Sequence, residues 1–144
     1  MTREELTGWF GRRQEHWRTR DVDGLTLSHA PAGRIISPLF GTISGRQQIS
    51  QSYRRLFHGF TDWTYLAEDL VLEPGDEPRA GQFLRGEATH INDMFGVAAT
   101  HRRIEVQFAI LFEFDRDGLI DLERRHYDFT SMLVQVGALR PRPG

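Results

Sequence analysis

Cysteine is absent from the 144 residues, which excludes disulfides, thiolate metal sites and thiol nucleophiles and leaves the redox compartment unmarked. No run approaches the ~20 apolar residues that a bilayer span needs. The opening Met-Thr-Arg-Glu-Glu-Leu also lacks the apolar core of a signal peptide. Missing too are a Gly-rich phosphate loop, a Gly-x-Ser-x-Gly elbow and any His-x-x-x-His pair among the six histidines, so metal and cofactor chemistry have no local motif. An excess of one charge is lacking as well. The formal net charge is −2, and the arginine pairs at 12/13, 54/55, 102/103 and 124/125 are dispersed among acids. A nucleic-acid partner and an anionic membrane surface are therefore not expected. The expectation is a soluble cytoplasmic protein without metal or cofactor, folded as one domain over 1–144, with a Pro-rich, frayed tail at 140–144.

What the chain does have is a change of period. Thr2-Arg-Glu-Glu5 is a capping box, and Leu6, Trp9, Phe10, Arg13 and Trp17 then fall on one helical face, predicting a helix to about residue 20. Arg13 and Trp17 are the members of that stripe able to reach a cavity. Asp21-Val-Asp-Gly24 breaks the helix, a short second helix is predicted over 25–29, and 34–37 reads as a brief edge-like strand. Ser44-Gly-Arg-Gln47 is a second capping box, opening a helix with Ile49, Tyr53, Leu56 and Phe57 on its apolar face and Gly59 at its end. Alternation at period two then predicts strands at about 63–72, 80–92, 102–115 and 119–127.

The stretch from Glu113 to Gly137 is where ionisable side chains crowd together. Asp117-Gly118 predicts a tight hairpin turn, after which Ile120 and Leu122 start a strand whose next members on the same face are Arg124 and His126, with Glu123 and Arg125 on the other. A strand that begins apolar and ends charged reads as one wall of a pocket. In a regular strand Glu123 and Arg125 share one face and His126 lies on the other, so only one set lines a cavity unless a bulge intervenes. Phe129, Met132, Leu133 and Val136 predict a closing helix stopped by Gly137, with Asp128 at its N-cap, a structural duty for a carboxylate that otherwise tempts a catalytic reading. Helices first, then a curved antiparallel meander with a closing helix, give an α+β fold. Its sheet wraps on the N-terminal helices as a cone around a blind pocket, with a homodimer covering the outer face of the sheet.

Several segments carry a resemblance. Trp63 after Phe60-Thr-Asp, Gly86-Glu-Ala-Thr89-His90 with Phe95-Gly96 following, Asp117-Gly118-Leu-Ile120, and Glu123 to Asp128 running into Leu133-Val-Gln135-Val-Gly137 resemble the SnoaL-like polyketide cyclases. That family lies within the cone-shaped superfamily of ketosteroid isomerase, limonene-epoxide hydrolase and nuclear transport factor two, and the resemblance covers about residues 5–139. It implies a hydrophobic pocket in which carboxylates, histidines and tyrosines act without cofactor on a small hydrophobic, oxygenated molecule. It also exposes a departure. The acting carboxylate of cyclases and epoxide hydrolases in this superfamily commonly lies seven residues beyond the turn glycine, and that position here is Arg125.

On these grounds the candidate acid/base groups are His126, Glu123 and His90. Imidazole titrates near neutrality, and apolar walls retune both imidazole and carboxylate. Asp93 could orient His90. His90, the Tyr53 hydroxyl or Arg125 would stabilise a developing enolate, with Trp17 and Trp63 as flat walls for a ring. The expected step is proton abstraction beside a carbonyl leading to cyclisation, isomerisation or dehydration. The alternative is a ligand-binding or dimerising protein with the same fold and no turnover.

Overall fold

The chain runs α1 (Arg3–Thr19), α2 (Val22–Leu27), β1 (His29–Ser37), β2 (Gly41–Ser44), α3 (Gly45–Gly59), β3 (Thr64–Glu73), β4 (Arg79–Thr89), β5 (Arg103–Phe114), β6 (Ile120–His126) and α4 (Phe129–Gln135). This is a computed structural model, describing residues 1–94 and 96–140. Phe95 of the quoted Phe95-Gly96 pair and residues 141–144 of the tail lie outside the described residues.

The six strands of the described residues form one curved sheet in the order β2-β1-β6-β5-β4-β3. Neighbours pair antiparallel except β1 on β6, which is parallel. Along β4 and β5 the even-numbered residues face the helices. Ala80, Gln82, Leu84, Gly86 and Ala88 alternate with exposed or half-exposed neighbours, as do Ile104, Val106, Ile110, Phe112 and Phe114. The Thr2–Glu5 capping box forms as the sequence indicates, with the Glu5 N–H donating to the Thr2 hydroxyl at 3.1 Å.

The apolar stripe of α1 packs Trp9 and Phe10 edge-on against Phe114 and Phe112, at ring separations of 4.8 and 5.2 Å. This aromatic plug fills one end of the cone. A second cluster, built from Trp17, Tyr53, Trp63, Ile104 and Met132, surrounds the other end. Asp128 caps α4 by accepting from the Ser131 N–H at 2.9 Å, and Gly137 takes the left-handed conformation that ends it. Among the described residues no helix is long and apolar enough to cross a membrane.

Several local expectations are corrected. Ser44 makes no side-chain cap to α3, and the Ser44 N–H instead donates to Gln48 at 2.9 Å. The tight turn at Asp117-Gly118 is a longer loop over 115–119, in which the Asp115 carboxylate accepts from the Asp117 and Leu119 N–H groups and Gly118 supplies a φ of 74°. β1 begins at His29, a residue assigned above to a helix, and lies inside the sheet rather than at its edge. β2 carries no period strong enough to read in four residues.

Candidate active site

The polar centre of the molecule is set by one extra residue in β6. Phe114 pairs with Ile120 and Glu113 with Leu122, so Asp121 is inserted as a bulge. Side chains alternate with period two, and an inserted residue therefore changes which numbers face inward. Ile120 points into the cone with Phe114. Beyond the bulge Glu123 lies opposite Phe112 and Arg125 opposite Ile110, both inward. His126, opposite Ala109, is exposed on the outer face and does not line the pocket.

Glu123 is fully buried and bridges two arginines. Its carboxylate accepts from Arg13 Nη2 at 2.7 Å and from Arg125 Nε at 2.6 Å. The Tyr53 hydroxyl oxygen accepts from Arg13 Nη2 at 2.9 Å and from Arg125 Nη2 at 3.1 Å. His29 Nε2 lies 3.3 Å from both the Tyr53 oxygen and Glu123 Oε2. The guanidinium of Arg13 also sits 5.6 Å from the ring centres of Trp9 and Phe112.

Burial alone would raise the Glu123 carboxyl, but Arg125 and Arg13 outweigh it and hold the group well below the usual carboxylate range. Burial pushes the His29 imidazole down to about 4, so it is neutral at physiological pH, and burial likewise keeps Tyr53 a phenol. Both guanidinium groups can only donate. The Tyr53 oxygen is therefore an acceptor toward both arginines, and His29 Nε2 lies between it and the Glu123 carboxylate, to which the imidazole hydrogen-bonds.

Arg125 carries this network to a cavity. Trp17 and Tyr65 stack at 5.4 Å as one wall, Trp63 meets Phe108 edge-on at 5.9 Å as another, and the Leu39-Phe40 turn and Tyr127 form the rim. Gly86 seats Trp63, since a Cβ there would fall 2.4 Å from the indole. Ser52, Tyr65, Tyr127 and Arg125 are the polar or charged members of the lining. The Ser52 hydroxyl donates to the Ile49 carbonyl, Tyr65 donates to Gln82 at 2.7 Å, and the Tyr127 oxygen accepts from the Leu39 N–H at 3.2 Å. Arg125 is 8% exposed, and its Nη1 has no hydrogen-bond acceptor among the described residues.

The cavity measures about 40 Å³. A single water needs roughly 10–15 Å³ and drug-sized ligands roughly 300 Å³ or more, so a ring compound enters only as the rim parts.

Tyr53, Glu123 and Arg125 are thus brought together, with Trp17 and Trp63 close by in the walls. His90 is not part of the cluster. It is fully buried against Phe60, its Nδ1 is 3.0 Å from the Thr100 hydroxyl, and burial lowers its pKa. Asp93 is exposed and accepts from the Ala99 N–H rather than from His90. Arg13 and His29 complete the network and stood outside the candidate set. Arg13 had a signal, a lone cation in an apolar helical stripe, whereas His29 had none because its segment was assigned to a helix. Among the described residues no three histidine, aspartate or glutamate side chains converge as a metal site.

Comparison with known proteins gives the fold its relatives. TsrD from Streptomyces laurentii superposes with a TM-score of 0.82 at 22% identity, over 96% of this chain and 99% of that one. IdmH from Streptomyces antibioticus, described as a candidate polyketide cyclase, gives 0.73 at 22% identity over 91% and 97%. SalBIII, described as an epoxide hydrolase/cyclase-like enzyme in pyran ring formation in polyether salinomycin, gives 0.74 at 17% identity over 91% and 97%. At these identities the likeness is one of fold. No curated protein matches the chain. Residues 10–136 match the description SnoaL-like polyketide cyclase, a span that takes in every member of the buried network, and the chain belongs to that family.

Proposed function

We propose that this protein is a cofactor-independent enzyme that holds the oxygen of an enolate against Arg125. By doing so it promotes cyclisation, isomerisation or dehydration of a hydrophobic, oxygenated, polyketide-like small molecule. The supporting observation is the Arg125 guanidinium itself, fixed by Glu123 and Tyr53, with Nη1 unpaired among the described residues and the side chain lining a mostly apolar cavity. Loss of a proton beside a carbonyl gathers negative charge on oxygen. A preorganised cation in a water-poor pocket stabilises that charge more than bulk water does.

Glu123, held far down by its two arginines, is a weak base at neutral pH and serves to fix the guanidinium groups. A reacting carbon between two carbonyls is acidic enough to give up its proton to water or to a substrate oxygen once the enolate is so held. Family membership supports the cyclase-type class, and the reaction and substrate are our inference.

Benzoylacetone, a small aryl 1,3-diketone, tests the idea through its keto–enol relaxation, followed by the ultraviolet absorbance of the enol. The wild-type protein should accelerate relaxation, and Arg125→Met should lose on the order of a hundredfold of that acceleration. Equal rates with and without protein, or an unimpaired variant, would sink the assignment. A second, non-catalytic reading is favoured by the absence of carboxylate and imidazole from the cavity lining among the described residues. Saturable binding of benzoylacetone without acceleration would establish it.

We also propose that a second copy of the chain covers the outer face of β3 to β5, where Leu66, Val71 and Phe83 stand exposed.

A further inference from the structure

The buried network does not balance its charge. Arg13 is 3% exposed, Arg125 8% and Glu123 not at all, so all three ions are removed from bulk water. Two guanidinium ions face one carboxylate, and their other close partners, Tyr53 and His29, are neutral. One positive charge is left uncompensated in the interior. Uncompensated buried charge is costly, and the chain retains it where it opens onto a cavity.

The surplus reaches the enclosed cavity through Arg125, whereas Arg13 borders a separate, open groove beside Ser28 and Leu119. Arg13 is engaged on Nη1 by Ser28 and on Nη2 by Glu123 and Tyr53. Arg125 spends Nε on Glu123 and Nη2 on Tyr53, leaving Nη1 unpaired among the described residues while its side chain lines the cavity. Of the other polar lining groups, the Ser52, Tyr65 and Tyr127 hydroxyls are engaged with protein partners and the neutral Trp63 indole N–H is buried without one, while the rest of the wall is aromatic or aliphatic.

We infer that the pocket takes ligands bearing a full negative charge, a carboxylate or an ionised enol, at the end that meets Arg125, with an apolar ring body along the Trp17 and Trp63 walls. This rests on the placement of Arg125 in the proposed site and deepens it by naming the substrate class. A neutral ketone would satisfy the Nη1 donor and leave the surplus charge unmatched. An anion satisfies both.

The charge surplus makes a prediction that simple contact does not. Glu123→Gln enlarges the surplus and should tighten binding of an anion, although it removes a partner of Arg125. Arg13→Met cancels the surplus and should weaken anion binding, although Arg13 does not line the cavity.

The probes are 2-naphthoate and its uncharged near-isostere 2-naphthamide, titrated into the full-length protein with quenching of tryptophan fluorescence as the readout. Wild type should bind the acid about tenfold or more tightly than the amide, as expected for an ion matched in a partly desolvated site. That preference should widen in Glu123→Gln and narrow in Arg13→Met. If the amide binds as tightly as the acid in wild type, or if neither binds, the inference is overturned. A Glu123→Gln protein that folds and loses the preference overturns it as well. Should a variant fail to fold, the wild-type comparison of acid with amide decides alone. Relaxation of benzoylacetone does not depend on this comparison, so the substrate class and the proposed chemistry fail separately.

Discussion

His29 is the residue in which burial and titration meet most directly. In the folded chain its imidazole takes up a proton only near pH 4, whereas in an unfolded chain it does so near 6.5. Between those values the unfolded state binds more protons, so stability falls as pH is lowered, by up to ~1.4 kcal/mol per pH unit. Glu123 acts in the same sense at lower pH. Its folded pKa lies well below the ordinary 4.5, so the stability it contributes is present above that value and is lost as pH falls toward the folded pKa. Urea midpoints measured from pH 7 to 4 should therefore decline in wild type, and His29→Gln should flatten the decline. An unchanged slope in the variant would assign the effect to another group. Legibility at this scale followed the helical stripes. Arg13 in the stripe of α1 and Tyr53 in that of α3 each stood out as one polar residue among apolar ones, and they prove to be 2.9 Å apart. His29 was hidden because its place depends on β1 reaching back past Gly33, where a Cβ would lie 2.6 Å from the Ile120 carbonyl oxygen.

At the scale of the element, β6 owes its chemistry to Asp121. The bulge lets Ile120 enter the aromatic plug while Glu123 and Arg125, three and five residues later, still face inward. Asp121 is itself exposed, so Asp121→Ala should change stability by no more than about 0.5 kcal/mol. Deleting it is a different matter. Without the extra residue, either Ile120 leaves the core or the Glu123–Arg125 face turns outward, and the pocket loses its cation. The deletion should lower the thermal midpoint steeply or abolish cooperative unfolding, as followed by circular dichroism. A deletion protein melting like wild type would show that the bulge does not set the register. This is also where the sequence was hardest to read. The strands and the closing helix follow from period and capping, but nothing in Gly-Leu-Ile-Asp-Leu-Glu-Arg-Arg-His says which residue is the inserted one. Pairing with β5 decides that, and pairing is not local. His126 and Arg125 could be ranked as candidates but not assigned to a face.

For the molecule as a whole, the unexplained surface is the convex side of the sheet. Leu66, Val71 and Phe83 are 50, 64 and 49% exposed. They project from β3 and β4 on the side away from the helices, beside half-buried Ala109 and Leu111 of β5. An exposed apolar face of this kind is uncommon on an isolated monomer. Ion pairs of both signs frame it, among them Arg79 with Glu73 and Arg103 with Glu87, so a two-fold related copy can meet it without like charges facing one another throughout. A second copy also leaves the pocket mouth at the Leu39-Phe40 turn free, since that turn joins β1 to β2 at the opposite end of the strand order. The expected outcome is a dimer of the 16.7 kDa chain in sedimentation equilibrium at micromolar concentration. Phe83→Glu would place a carboxylate between Asp69 of β3 and Ala109 of β5, beside exposed Leu66 and Val71, and burying it there should shift the protein to monomer while its circular dichroism stays native. A wild-type protein that sediments as a monomer across that range would leave the convex face without this partner. A Phe83→Glu dimer as tight as wild type would move the interface elsewhere on the surface.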